Sequence, residues 1–552
     1  MKLLFRMLVF LLLPVGSAMA QTVAYDAASI PKELLPYASA VVRQSEYSTE
    51  VVDLASTYYH EKQVITVLNK NGDDNAQIVV WHNKSNQIRY IKGTIYNQFG
   101  KPVSKFGEKD FQDNSNISES SLFEDTQVKH YKPAVTDYPY TIEYEYEIRS
   151  KQSLNFNEWH PNPSYGTAVE KSSYTFMCKP DFKLRYKEFN YPGKAEMGTI
   201  NGKTTYTWKI ANLKAVKSEP YSPDDEKYLT VVKFAPEKFM YEGHAGAFTN
   251  WNELGKWQYT ELLSNRTQLP PETVAQMQEL VKGITDDKLK AKKIYEYMQQ
   301  KTRYVSVQIG IGGYQPFLAS DVDRLSYGDC KALVNYTQAL LKAVNIDSYY
   351  CIVYGDTWKR SLLPDFASMQ GNHIILCLPF KSDTTWLECT SKQIPFGFLG
   401  RFTDDRYVLA CTPQGGKLMH TPKYTADDNR QECHATFAIN TNGLLNGEMS
   451  TTFEGTQYEN RDELIEEAYT DQVKGIKQVY DFDNLDVEHL AFKQDKKLSP
   501  VTTEALKIKA NGYVANNSGK LYFFANATNR MHSTPREVRS RTTDVYLSLI
   551  HI

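Results

Sequence analysis

A cysteine at the start of a predicted helix is the residue of this chain best placed for nucleophilic chemistry. Cys330 follows Gly328-Asp329, and from Ala332 onward apolar residues recur at the three- and four-residue spacing of a helix with one buried face. The unpaired N–H groups and the positive dipole end at a helix N-terminus favour a thiolate, the form of cysteine that attacks carbonyl carbon. The sequence therefore predicts that Cys330 is the nucleophile of a cysteine hydrolase or acyl transferase.

A base and an orienting acid follow the cysteine along the chain. His373 opens an apolar run that is typical of a strand, and Glu388 lies in the next predicted strand, 386–390. A hairpin between the two strands would return Glu388 to the end of the sheet where His373 begins. The three residue types of a Cys-His-acid triad thus occur in order, although any one of them taken alone is more often structural than catalytic.

The segments around these residues alternate between strand and helix patterns. Residues 140–148 alternate apolar and polar side chains, Asn71-Gly72 and Asn201-Gly202 are hairpin-turn sequences, and a short helix is predicted around residues 36–44. Helical periodicity replaces the strand patterns after residue 271, and strand patterns return after residue 431. The sequence therefore predicts an α+β protein in which β-rich regions flank a mixed core.

At these residues the chain resembles the transglutaminase-like superfamily. Bacterial members carry Gly-Asp-Cys at a helix start, as in Gly328-Asp329-Cys330, then a strand that begins with histidine and a strand that ends in an acid. The segment 304–316, which contains Gly312-Gly313, is similar to the one that precedes the cysteine in a group of secreted bacterial proteins. In that group a β-rich domain of unassigned role precedes the core. The chain departs from the family pattern at Ala332, where aspartate is common, and at Glu388, where aspartate is usual.

The resemblance implies a papain-like transglutaminase core, in which the helix that bears the cysteine packs on an antiparallel sheet, between β-sandwich-type domains. It implies that Cys330, His373 and Glu388 are catalytic, and it adds Tyr314 and Asn372 as substrate-binding residues. We also expect aromatic residues from the glycine-rich segment and from 396–398 to rim the cleft.

The predicted domain organisation has four parts. Residues 1–20 read as a signal peptide, 21–255 as the N-terminal β-rich domain, 256–412 as the core and 413–552 as a truncated C-terminal β-rich domain. Export to the periplasm or the extracellular space follows from the signal peptide. No later stretch has the ~18 uninterrupted apolar residues of a membrane span, so none is expected in the mature chain.

Composition argues against several other classes of function. The 552 residues carry a formal charge of −2 without a long Lys/Arg cluster, which disfavours nucleic-acid binding. The seven cysteines show no Cys-x-x-Cys spacing and the eleven histidines no ligand spacing, so no metal or other cofactor is expected. The abundance of tyrosine, 38 residues, suits half-exposed sheets and would equally suit a peptide- or glycan-binding surface.

These observations favour an enzyme that acts on amide bonds of peptides or proteins in the cell envelope. A thiolate that attacks an amide forms a thioester and releases an amine. Water then completes a peptidase or amidase cycle, whereas a lysine-type amine completes a transglutaminase cycle. Hydrolysis is the simpler expectation because water is always present. Protein crosslinking remains an alternative, as does a non-catalytic envelope protein that keeps the fold and binds a protein or glycan partner.

Overall fold

The structure, a computed structural model, describes residues 25–115, 121–381, 383–480, 482–529 and 540–546. Strands and helices alternate in the middle of the chain and strands dominate on both sides, which confirms the α+β class. The predicted signal peptide lies outside these residues. None of the helices within the described ranges is long and apolar enough to cross a membrane.

Over the residues that the structure describes, the N-terminal region contains sixteen strands. They are β1 (Ala40–Asp53), β2 (Ser56–Val67), β3 (Ile78–His82), β4 (Asn86–Tyr96), β5 (Pro102–Gly107), β6 (Gln112–Ser115), β7 (Ser121–Glu124), β8 (Gln127–Tyr131), β9 (Tyr140–Ser150), β10 (Thr167–Cys178), β11 (Leu184–Phe189), β12 (Glu196–Ile200), β13 (Lys203–Leu213), β14 (Val231–Pro236), β15 (Lys238–Tyr241) and β16 (His244–Ala247). Eight of them form one sheet in the order β12-β13-β10-β1-β2-β9-β4-β5.

Two smaller sheets cover this large sheet and give the region a sandwich character. The three-stranded sheet β3-β8-β6 packs Ile78 and Val80 into one hydrophobic cluster with Ile142 of β9. The pair β11-β14 packs Phe234 against Trp208 of β13 in a second cluster. Burial of these apolar faces is the main driving force for assembly of the layers.

In its described part, the middle region contains six α-helices and eight strands. They are α1 (Trp251–Trp257), α2 (Pro271–Leu280), α3 (Asp287–Lys301), β17 (Arg303–Tyr304), β18 (Ser306–Gln308), α4 (Ala319–Leu325), β19 (Tyr327–Gly328), α5 (Cys330–Ala343), β20 (Tyr349–Val353), β21 (His373–Pro379), β22 (Thr384–Leu387), α6 (Gly400–Thr403), β23 (Tyr407–Thr412) and β24 (Gly415–His420). Strands β22-β21-β20-β23-β24 form an antiparallel sheet in that order.

Helix α5 lies on this antiparallel sheet with almost every residue buried. Its apolar positions share one hydrophobic cluster with Ile374 and Leu376 of β21 and with Trp251 and Trp257 of α1. Helix α1 approaches the sheet so closely that a methyl group added to Gly255 would lie 2.3 Å from the Cα atom of Gly416. The expected boundary between 255 and 256 therefore falls inside a helix of the core, and the one between 412 and 413 falls inside the β23-β24 hairpin.

The C-terminal region differs from the expected sandwich. It contains β25 (Gln431–Ile439), β26 (Leu445–Glu454), α7 (Asp462–Glu466), α8 (Tyr469–Val479), β27 (Leu485–Asp495), β28 (Val501–Ala510), β29 (Ala515–Asn517) and β30 (Lys520–Tyr522). The sheet β25-β26-β28-β27 packs Leu506 against Ile476 of α8. Over the described residues this region is thus a sheet covered by a helix, because the charged stretch before β27 has one apolar face.

Candidate active site

Cys330 is the first residue of α5, and the residue before it caps the helix. The Asp329 carboxylate accepts a hydrogen bond from the Ala332 N–H at 2.9 Å, which satisfies one unpaired donor of the first turn. Its second oxygen lies 2.6 Å from the Lys331 ammonium, and both side chains of this ion pair are buried. The cap fixes where the helix begins and therefore where the thiol lies.

His373 and Glu388 meet through the hairpin of β21 and β22. His373 is the first residue of β21, Glu388 directly follows β22, and Leu376 pairs with Leu387 between them. The imidazole Nε2 lies 2.9 Å from Glu388 Oε2. The other carboxylate oxygen accepts the Thr390 N–H at 3.0 Å and the Thr390 hydroxyl at 2.6 Å. The longer glutamate is thus held at both oxygens and still reaches the imidazole.

The Cys330 thiol lies near the imidazole, since the two residues line the same cavity and Cys330 contributes to the pKa shift of His373. Because Glu388 occupies Nε2, the ring nitrogen left for the thiol is Nδ1. Burial alone would lower the pKa of His373, but the Glu388 charge, the influence of the nearby Cys330 thiol and the hydrogen bond to Glu388 outweigh burial and raise the pKa to about 10. Burial would raise the pKa of Glu388, yet the His373 charge and the bonds from His373 and Thr390 lower it.

These pKa directions describe a buried imidazolium–carboxylate pair beside a thiol. A protonated imidazole can donate to a thiolate and can later deliver its proton to a leaving amine. The three groups are all nearly inaccessible, with exposed fractions of 6% for Cys330, 8% for His373 and 3% for Glu388. The geometry can therefore support nucleophilic attack by the thiol in a site with little bulk water.

A cavity of about 380 Å³ opens onto the thiol and the imidazole. Its wall includes residues of the core sheet, of α5 and of the segments before them. The lining residues are Tyr241, Gln258, Gln308, Gly313, Tyr314, Cys330, Lys331, Tyr350, Ile352, Met369, Gln370, Gly371, Asn372, His373 and Ile374. Most of these groups are aromatic, amide or apolar, which is typical of a site that holds a substrate by shape and a few polar contacts.

Tyr314 and Asn372, expected to bind substrate, both line this cavity. The Tyr314 hydroxyl accepts a hydrogen bond from the Asn155 amide at 2.9 Å, and its ring contacts Tyr241 edge to face. The Asn372 amide instead accepts the Gly355 N–H at 2.7 Å and donates to the Gly355 carbonyl at 3.2 Å. That engagement favours a role for Asn372 in holding the start of the His373 strand.

The expectation that residues 396–398 rim the cleft is wrong. Phe396 packs against Tyr295, and Phe398 packs against Tyr458 in the contact with the C-terminal region. Neither phenylalanine lines the cavity around Cys330. Their apolar side chains are buried at these packing contacts, so the segment supports the core from behind.

Sequence reasoning missed Tyr350 and Lys331, which both line the cavity. Tyr350 is adjacent to a second tyrosine, and nothing local indicates which of the two faces α5. Over the described ranges, no group of three or more His, Cys, Asp or Glu side chains is arranged to hold a metal ion. All seven cysteines are present as thiols.

Comparison with known proteins gives two informative similarities. A family described as a domain of unknown function with a solved structure, DUF3857, matches residues 55–217, within the β-rich region. The crystal structure of a "putative protease" from Parabacteroides distasonis ATCC 8503 superimposes with a TM-score of 0.54 at 12% identity and covers 86% of this chain and 93% of that chain. The second similarity shows a shared fold over most of the chain.

Other solved structures are much less similar. An M1 zinc metallopeptidase from Deinococcus radiodurans gives a TM-score of 0.19 at 8% identity, over 44% of this chain and 53% of that chain. A "putative nutrient binding protein" from Legionella pneumophila gives a TM-score of 0.18 at 9% identity, over 49% of this chain and 83% of that chain. Neither similarity supports an argument about this chain. No curated protein matches it in sequence.

Proposed function

We propose that this chain is a transglutaminase-like cysteine peptidase or amidase that cleaves amide bonds of peptides or proteins in the cell envelope. Cys330 is the nucleophile, His373 the general base and acid, and Glu388 the orienting carboxylate. The observation that carries the proposal is the buried 2.9 Å contact between the His373 imidazole and Glu388, beside the cavity that His373 lines together with Cys330. The similarity in fold to a protein named a putative protease supports the same reaction class.

The proposed reaction begins with attack of the Cys330 sulfur on an amide carbonyl carbon. The C–S bond forms while the carbonyl electron pair moves to oxygen, and the Cys330 N–H, unpaired in the first turn of α5, is available to that oxyanion. The oxyanion then collapses, the C–N bond breaks, and imidazolium His373 gives its proton to the leaving amine. A water molecule that is deprotonated by His373 hydrolyses the thioester.

Glu388 acts by keeping the imidazole in one orientation and tautomer. Its contact at Nε2 holds a proton there, so Nδ1 is the nitrogen that exchanges a proton with sulfur or amine. Thr390 binds the far carboxylate oxygen, which prevents rotation of the carboxylate. The envelope location of the substrate rests on the predicted signal peptide.

The most informative experiment follows the mass of envelope peptides incubated with the purified protein, with and without a primary amine. New peptide termini that appear with the wild type but not with Cys330→Ala are the expected result. A gain of amine mass with loss of ammonia would assign protein crosslinking instead. If no Cys330-dependent change in mass occurs across a broad peptide set, the protein is better described as a non-catalytic binding protein. Cys411→Ala, which removes another buried thiol of the same core, is the matched control.

A further inference from the structure

Tyr350 of β20 carries a buried hydroxyl that makes no hydrogen bond to any residue that the structure describes. Only 2% of the Tyr350 surface is exposed. Buried hydroxyls are normally paired because an unpaired one loses its bonds to water without replacement. Tyr295 in the same core illustrates the usual state, since its hydroxyl donates to the carbonyls of Glu388 at 2.6 Å and Ile394 at 3.0 Å.

This unpaired hydroxyl belongs to a residue of the reactive cavity. Tyr350 lines the cavity together with Cys330 and His373. Burial first, and then the nearby charges of Cys330 and Asp329, raise the pKa of Tyr350 well above its ordinary value. The phenol therefore keeps its proton at every working pH and is a permanent donor on a residue of the cavity that Cys330 lines.

We propose that the Tyr350 hydroxyl donates a hydrogen bond to the carbonyl oxygen of the acyl group under attack by Cys330, and so stabilises the oxyanion. The inference rests on the proposed function and adds a second donor to the Cys330 N–H. When the C–S bond forms, the carbonyl electron pair becomes an oxygen lone pair that accepts from Tyr350. When the leaving group departs, that pair re-forms the carbonyl bond. Tyr350 keeps its proton throughout, because His373 supplies the one that the amine takes.

Packing does not account for the hydroxyl. The ring of Tyr350 is part of the apolar cluster beneath α5, where phenylalanine would fill the same space without burying an unpaired oxygen. A hydroxyl that costs stability for want of a partner in the protein, on a residue that lines the same cavity as the nucleophile, is the pattern expected of a donor whose partner arrives with the substrate.

The test compares two reagents on Tyr350→Phe. Acylation by p-nitrophenyl acetate passes through a tetrahedral oxyanion, whereas alkylation by iodoacetamide is a displacement at a saturated carbon without one. Nitrophenolate release and the mass of the Cys330 peptide report the two rates. Tyr349→Phe, the same change in the neighbouring residue on the other face of the sheet, is the control.

We expect Tyr350→Phe to lower acylation of Cys330 by about 10²- to 10³-fold, to leave alkylation unchanged and to keep or raise the Tm. Acylation of Tyr350→Phe at the wild-type rate would overturn the inference. Equal losses in the rates of acylation and alkylation, together with a lower Tm, would also overturn it, because that pattern indicates a structural role for the hydroxyl. A wild-type protein in which neither reagent modifies Cys330 would refute the proposed function, and this inference with it.

Discussion

Replacing Glu388 by glutamine changes one hydrogen-bonding atom at the imidazole while keeping the shape of the side chain. Thr390 donates two hydrogen bonds to Oε1, so the amide oxygen of glutamine should stay at Thr390 and its NH₂ group should face His373 Nε2. A donor at that position forces Nε2 to accept. The proton of the neutral ring then moves to Nδ1, the nitrogen that takes the proton of Cys330 in the proposed mechanism.

The expected effect is large because the wrong tautomer cannot act as a base towards sulfur. An equivalent orienting-acid change in the serine-protease triad costs about 10⁴-fold in turnover, and we expect a loss of that order in acylation of Cys330 by Glu388→Gln. The pKa of His373 should fall as well, since burial lowers it and the charge of Glu388 is the strongest influence that raises it to about 10. The fold should remain, because the substitution preserves volume.

The assay measures Cys330 acylation and the imidazole ring signals of His373 by NMR across pH. In the wild type the imidazolium should persist up to a pH of about 10. The stabilising ion pair should be fully present between the ordinary pKa values of 4.5 for glutamate and 6.5 for histidine. On the alkaline side, the stabilisation by the ion pair should be lost as the pH rises through about 10, where the imidazolium deprotonates. On the acid side, it should be lost as the pH falls through the lowered pKa of Glu388.

Glu61→Gln is the control, because it likewise replaces a buried carboxylate by an amide. Glu61 accepts hydrogen bonds from Tyr144 and Tyr146 in the β-rich region, away from the thiol, so its replacement should not change the Cys330 rate. If Glu388→Gln acylates within about tenfold of the wild type, or if wild-type His373 titrates at its ordinary pKa, the tautomer argument is wrong and another group orients the ring.

Two further predictions concern stability. Gly255→Ala should lower the free energy of unfolding by about 1–3 kcal/mol in urea titrations, because the new methyl group would collide with the Gly416 backbone. An unchanged free energy of unfolding would mean that α1 is not packed on the sheet. Lys331→Met should lower the free energy of unfolding by about 3–5 kcal/mol, because it leaves the buried Asp329 charge unpaired. Lys282→Met, at an exposed ion pair, should change the free energy of unfolding by less than about 1 kcal/mol. Equal effects of the two substitutions would refute a buried ion pair at Lys331.

The site was predictable where local pattern and geometry agree. The helix predicted at Cys330 is present because an aspartate cap and a long apolar face specify the same start. The Asn201-Gly202 turn forms the hairpin of β12 and β13 with positive φ at both residues, as its sequence predicts. His373 and Glu388 meet because an antiparallel hairpin returns the second strand to the beginning of the first.

Other elements depend on contacts that no local pattern contains. Asn71-Gly72 was expected to turn a hairpin, yet Asn69 caps a 3₁₀ turn there and the flanking strands enter different sheets. The helix expected at residues 36–44 is wrong, since strand β1 begins at Ala40. Polar residues interrupt the apolar alternation of β1, so the strand is not evident from the sequence. Their side chains form hydrogen bonds to the neighbouring strand, as when the Ser45 hydroxyl donates to the Ser172 hydroxyl at 2.8 Å.

The cavity is built by both the core and the β-rich region. Asn155, within the DUF3857 match, bonds the Tyr314 hydroxyl, and Tyr241 of β15 contacts the Tyr314 ring at 5.0 Å between centroids. Tyr241 also lines a second cavity of about 450 Å³, which lies in the β-rich region and is walled by aromatic, amide and hydroxyl side chains. A substrate long enough to extend from Cys330 past Tyr241 would therefore meet both regions. We expect the choice of substrate to depend on this shared wall, and the proposed chemistry to depend on the core residues that hold the thiol.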